Sequence, residues 1–452
     1  MQIRSIIRLG NRRRSASASA VLVAGFVTYF PASSPFALAQ APNAGAKLEY
    51  VLVLSRHGAR SGLMSEEKLN EYSSQPWRPM TVPIGYLTAH GRQEMQMMGA
   101  WDRQYLEKQG LISGKADCGD ASRTYFRADS IQRDVESARA VSYALFPDCK
   151  IAVHSPPLSV TIPEKKTDPM FLDADTPGVV DRELAGAALE GRLGGDPRKL
   201  LKAHAAEVEI VQKILSGPGG SPKTLLTTPL PTKGDRYERM TSPVSPLNNI
   251  TDALLLEYEE GYPMSETGWG RLNETNLPAL LTLQEAFVDA VWDNPVMARA
   301  RGSNLLAHML RSLQQEAVGH VVEGAMGNPG DKALFILGHD SDFGHLATLL
   351  GLSWILDSFP PKATPPGAEM MFELWREADG HRTVRLSIVG QTIQQIHDGA
   401  DPTKTPPMKV AVFIPGCSTT AEGFPCDWDL FRKTVENTID FGQVRPESPL
   451  LN

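Results

Sequence analysis

The run Leu48-Glu-Tyr-Val-Leu-Val-Leu54 is too short for a helix and too continuously apolar for a solvated surface. Such a run reads as a strand buried on both faces, and strands of that kind belong to parallel sheets covered by helices. Two further runs repeat the pattern: Ala333-Leu-Phe-Ile-Leu337 and Lys150-Ile-Ala-Val153. Helical periods lie between and after them. Leu283, Phe287 and Val291 are spaced by four, with Pro295 ending the segment, and Leu306, Met309, Leu310 and Leu313 follow the i, i+3, i+4, i+7 rule. Strands alternating with helices predict an α/β fold, a mainly parallel sheet flanked by helices. Two Pro- and Gly-rich stretches, 155–178 and 216–247, interrupt the alternation, and helical patterns at 181–193 and 199–215 lie between them. The expected organisation is an α/β domain in two parts, residues 40–175 and 298–441. A smaller α-helical domain is inserted over 176–297, and an unstructured tail covers 442–452.

The chemistry sits where these strands end. The first runs through Ser55 into Arg56-His57-Gly58-Ala59-Arg60. Ligand sites of open α/β sheets lie at the carboxyl ends of the strands. Arginine's planar fork suits phosphate oxygens, and a histidine between two arginines would meet the phosphorus they hold. Gly58 reads as a sharp turn that lets the backbone approach a ligand. The strand at 333–337 ends the same way, in Gly338-His339-Asp340, followed by a helical pattern with Ser341 or Asp342 as its cap. His339 offers a donor to a phosphate oxygen. Asp340 offers a carboxyl group that, when protonated, can protonate a leaving alkoxide. Together the two strand ends form a constellation for phosphomonoester hydrolysis through a covalent intermediate.

Arg56-His57-Gly58-Ala59-Arg60 with His339-Asp340 resembles the histidine acid phosphatases, the branch of phosphoglycerate mutase-like proteins that includes phytases and glucose-1-phosphatases. Leu87-Thr88-x-x-Gly91, Gly268-Trp269-Gly270-Arg271 and Pro366–Trp375 are similar to further segments of that family, so the resemblance covers most of the chain. It implies His57 as the nucleophile that becomes phosphohistidine, Asp340 as the proton donor, and Arg56, Arg60 and His339 as phosphate ligands. A further phosphate-binding arginine, counted back from Pro147-Asp148-Cys149, falls on Arg133, with Arg127 and Arg139 as competing choices. No metal or organic cofactor is implied. Gly62 stands where the family usually has proline, Leu63-Met64 where related phytases can carry a lysine, and Asp342 where they commonly have asparagine. Loss of a cation and gain of a carboxylate weaken the case for a highly anionic substrate. The expected activity is therefore hydrolysis of a phosphomonoester, a sugar phosphate or an inositol phosphate. A phytase proper is the alternative, and a non-catalytic phosphoester-binding protein is the alternative of another class. A binder would need the arginines but neither His57 nor Asp340.

The N-terminus reads as a secretory signal peptide over residues 1–39, with basic residues up to Arg14, an apolar stretch from Ala20 to Phe30 and Ala37-Leu38-Ala39 as the cleavage site. Those 39 residues hold five arginines and no acid, so removing them from a net charge of −7 leaves −12 on the remainder. Such a body is a poor partner for nucleic acid or for anionic lipid. The expected location is periplasmic or secreted, with no membrane association after cleavage and a small phosphomonoester as the partner. An even number of cysteines in an exported chain favours disulfides. Proximity in sequence suggests Cys118–Cys149 and Cys417–Cys426, one of the three connectivities that four cysteines allow. His339, Asp340, Asp342 and His345 can be drawn as a metal cluster, but the reading assigns no metal, and it takes His90 and His154 as structural or solvated.

Overall fold

A computed structural model describes residues 45–114, 118–159, 168–218, 223–225, 229–447 and 449–451, so the segment read as a signal peptide lies outside the described residues. Eight strands form one sheet: β1 (Lys47–Arg56), β2 (Thr124–Ala128), β3 (Val153–His154), β4 (Ala333–Gly338), β5 (Glu369–Arg376), β6 (Arg382–Gly390), β7 (Met408–Ala411) and β8 (Cys426–Asp427). Their order is β3-β2-β4-β1-β5-β6-β7, with β8 also on β6. The pairs β3·β2, β2·β4 and β4·β1 are parallel, and β5 to β8 extend the sheet antiparallel beyond β1.

Two of the three apolar runs have the expected cause, whereas the third, Lys150–Val153, enters the sheet only as the two-residue edge strand Val153–His154. In β1, Tyr50, Leu52 and Leu54 pack on one face with the helices Pro295–Val318 and Asp340–Leu350. Val51 and Val53 pack on the other with the helices Ala89–Lys108 and Gln132–Leu145. Both faces are covered, so the central positions Tyr50–Leu54 are all buried and apolar. β2 breaks that rule and was invisible for that reason: Arg127 stands in its middle, fully buried. Its guanidinium meets Asp168 at 2.6 Å and Glu447 at 2.7 Å.

That buried charge also explains a correction. The tail is not unstructured. Glu447 reaches back to Arg127, the Arg445 N–H donates to Asn304 Oδ1 at 2.8 Å, and Leu451 pairs with Ser155. A buried cation left unpaired is costly, so the segment that supplies its counter-charge is held against the sheet.

Helices Arg182–Arg192, Arg198–Ala203, Ala205–Ser216, Ser245–Glu259 and Leu277–Phe287 surround a second core containing Leu189, Val208, Ile214, Leu254 and Leu280. Leu69, Tyr72 and Trp77 from the loop after β1 join that core. The pattern at 199–215 is two helices, broken at His204, rather than one. The last helix runs directly into a single π turn, Val288–Trp292. Cysteines pair as Cys118–Cys149 and Cys417–Cys426.

Candidate active site

Parallel pairing of β1 with β4 sets the site. The register aligns Arg56 with Gly338, so the two strand-end motifs leave the sheet side by side. The His57 N–H then donates to Gly338 O at 3.1 Å. β2, on the other side of β4, ends beside them, with the Asp129 N–H donating to Leu337 O at 3.1 Å. Three adjacent strand ends thus converge on one cavity of about 310 Å³, lined by His57, Arg60, Arg133, His339 and Asp340 among others.

Arg56-His57-Gly58-Ala59-Arg60 is clamped by two helices. The Gly58 N–H donates to Ser137 Oγ at 3.2 Å and the Ala59 N–H to Glu94 Oε2 at 3.1 Å. Gly58 also makes a close contact with the protein itself. A Cβ on Gly58 would fall 2.4 Å from Gly91 O, and one on Gly91 would fall 2.0 Å from Ala59 O. The glycines let the loop touch the helix Ala89–Lys108. Thr88 caps that helix by accepting from the Gly91 N–H at 3.0 Å, and its own N–H donates to Ala59 O at 3.1 Å. The Leu-Thr-x-x-Gly segment is therefore the bolt that holds the histidine loop.

His57 is buried, and its Nδ1 lies 2.8 Å from Gly58 O. A carbonyl only accepts, so Nδ1 carries the proton and Nε2 keeps its lone pair. Burial, followed by the charges of Arg133, Arg56 and Arg60, holds the imidazole's pKa well below the ordinary histidine value. The ring stays neutral and nucleophilic in acid, where a free histidine would be protonated.

The cations are oriented by named partners. Arg60 is bidentate to Asp252, at 3.1 and 3.3 Å. Arg56 donates to Thr364 O at 2.6 Å and pairs with Asp340 at 3.0 Å. Arg133 stands at the start of the helix Gln132–Leu145 and donates to Gly85 O at 3.0 Å. Of the three candidates for the extra arginine, only Arg133 lines the cavity. Arg127 is locked inside β2, and Arg139 is exposed and pairs with Glu136. His339 Nε2 donates to Asp129 Oδ2 at 2.8 Å, with Asp134 Oδ2 at 3.5 Å. These three residues form the one group with metal-ligand spacing among the described residues.

The cap of the helix Asp340–Leu350 is His339, neither Ser341 nor Asp342; Asp342 sits at its third position and accepts the His339 N–H at 2.8 Å. Met64 packs on the helical core, while its neighbour Leu63 lines the cavity. His345 is fully buried and does not line it. His154 stacks on Tyr125, and His90 bonds Ile396 O.

Sequence reasoning missed Glu94, Asp129, Asp252, Trp292 and Arg301. Asp129 was hidden with β2, whose end it marks. The others look like any helix-face residue in sequence; packing brings Trp292 and Arg301 to the cavity, Glu94 to the Ala59 N–H and Asp252 to Arg60.

Buried carboxyls surround this cationic cluster. Desolvation pushes Glu94 and Glu285 up to about 8 and Glu259 up to about 7. Each binds a proton in the folded state between its unfolded pKa and these values, so each stabilises the fold at low pH and loses that contribution as pH rises through 7 to 8. His57, with its lowered pKa, opposes them below the ordinary histidine value, one group against three. The thermal unfolding midpoint is therefore expected to fall between pH 5 and pH 8.5. Melts in matched ionic strength check this, and a midpoint that rises over that range refutes it.

The family model described as the histidine phosphatase superfamily (branch 2) matches residues 47–389. Phytase AppA of Escherichia coli (strain K12) is 29% identical over 394 residues, 82% of this chain and 87% of that protein. A glucose-1-phosphatase of Salmonella typhimurium is 28% identical over 437 residues, 93% of this chain and 98% of that protein. The solved structure of Hafnia alvei phytase in complex with tartrate superposes with a TM-score of 0.78 at 26% identity, covering 89% of this chain and all (100%) of that one.

Proposed function

The chain belongs to branch 2 of the histidine phosphatase superfamily, a group of phosphoric monoester hydrolases, and from that membership we propose the following reaction. Arg56, Arg60, Arg133 and His339 hold the oxygens of a phosphomonoester. His57 Nε2 attacks the phosphorus as the bond to the ester oxygen breaks, and Asp340 gives its proton to the departing alkoxide. Water then attacks the phosphohistidine, the P–N bond breaks, and the Asp340 carboxylate takes the water's proton. Inorganic phosphate leaves and both side chains are restored. The observation that carries this reading is the neutral His57, its Nε2 lone pair free among three arginines and an acid within the same cavity.

Asp340 pairs with Arg56 at 3.0 Å, and an opposite charge at that distance favours a carboxylate. A phosphate dianion takes up the guanidinium and its charge disfavours a neighbouring carboxylate, so substrate binding itself restores the proton. Activity should follow a bell with its optimum on the acid side of neutrality. The mature chain acts outside the cytoplasm, a reading supported by the signal-like residues 1–39 and the two disulfides. No helix among the described residues is long and apolar enough to cross a membrane.

Phosphate release from glucose 1-phosphate, an aryl phosphate and phytate by the purified protein, across pH 3–9, tests the reaction. Release from the simple esters with an acid optimum is expected. Stoichiometric binding of phosphate without turnover of any ester would instead indicate a phosphoester-binding protein.

A further inference from the structure

Beyond the phosphate ligands, the cavity changes character. Leu63, Ile84, Ile131 and Trp292 also line it. Leu63 is 50% exposed there, a large apolar side chain left facing water at the mouth of a charged site. Trp292 ends the π turn Val288–Trp292, a local irregularity of the kind that re-aims a side chain. Its ring is braced edge-on by Phe287, centroids 5.8 Å apart at 85°.

The charge at this end is balanced. Arg301 also lines the wall, but it lies 3.5 Å from Asp173 and donates to Leu172 O at 3.0 Å. A second or third phosphate would therefore meet an already paired guanidinium and four apolar side chains. Moving a charged group against apolar surface without new partners is costly. A ring with an apolar face has the opposite balance. It covers Leu63 and Trp292 and can stack on an aromatic plane.

We propose that Trp292, with Leu63, is the subsite for the alcohol portion of the ester, and that it selects monophosphates of ring alcohols with an apolar face. The inference rests on the phosphatase reading and deepens it by naming the substrate class. Trp292 is a specificity residue and takes no part in the bond changes at phosphorus.

The test compares the native protein with Trp292→Ala and Trp292→Phe on phenyl phosphate, glucose 1-phosphate, glycerol phosphate and phytate. In Trp292→Ala, KM for phenyl phosphate should rise about tenfold while kcat changes little. Glycerol phosphate, which has no ring, should lose less than twofold, and Trp292→Phe should recover most of the loss. An equal loss on glycerol phosphate would mean a merely structural role and overturn the proposal. So would a native kcat/KM for phytate above that for both ring monophosphates. Calorimetric binding of phenyl phosphonate, which cannot be hydrolysed, separates this inference from the reaction it rests on. If no ester is turned over, the phosphatase reading fails, yet a tenfold weaker Kd in Trp292→Ala would still uphold the subsite. An unchanged Kd would sink it.

Discussion

His57→Ala is expected to lower turnover of every ester by about four orders of magnitude or more, the scale on which covalent catalysts lose rate with their nucleophile. The fold should survive. The loop's backbone bonds to Ser137, Glu94 and Gly338 use main-chain groups that alanine retains. The small cavity left among Arg56, Arg60 and Arg133 also relieves the burial of a ring inside a cationic cluster. In the native protein, rapid acid quenching is the wrong trap, because a phosphohistidine is acid-labile. Quenching in alkali followed by mass analysis should find the phosphoryl group on the peptide that carries His57. Turnover within tenfold of native in the alanine variant would remove His57 from the reaction.

Asp340→Asn should separate esters by their leaving groups. Asparagine keeps the shape but has no proton of suitable acidity to give. A sugar alkoxide needs that proton as the bond breaks, and a positioned general acid contributes about 10²–10⁴-fold. An aryl oxide leaves without as much help, so its loss should be smaller by an order of magnitude or more. The substitution also ends the ion pair with Arg56, but Arg56 keeps its bond to Thr364 O, which holds the guanidinium in place. Equal losses on glucose 1-phosphate and on an aryl phosphate would exclude Asp340 as the donor and point to loss of phosphate binding instead. Single-turnover measurements add a second readout, because the same carboxyl has to deprotonate the attacking water. Phosphohistidine should accumulate in Asp340→Asn with the aryl ester.

These two residues were legible because each follows a strand with a continuous buried apolar run, Tyr50–Leu54 in β1 and Ala333–Leu337 in β4. β1 and β4 lie at the centre of the sheet, covered by helices on both faces, and their sequences carry that burial without interruption. Once two such strands are recognised as parallel neighbours, their ends must adjoin, and Arg56-His57 must meet His339-Asp340. The antiparallel half of the sheet was less visible. Glu369 and Glu373 stand buried inside β5, so that strand has no clean apolar run to announce it. β2 was lost for the same reason at Arg127, and Asp129 was lost with it.

By itself the sequence determined the α/β class and the two strand ends with their His57 and Asp340, because backbone register and burial are properties of local pattern. Only the tertiary structure decided which arginine joins them. Arg127, Arg133 and Arg139 look alike along the chain, but one is enclosed with Asp168 and Glu447, one faces solvent, and one enters the cavity. It also decided that Asp342 braces a helix and that the tail closes over a buried cation. Above all it placed Leu63 and Trp292, far apart in sequence, on the wall that the ester's alcohol would meet. A charge or a ring has no fixed meaning until packing selects its neighbours, and those neighbours come from elements that the local pattern does not connect.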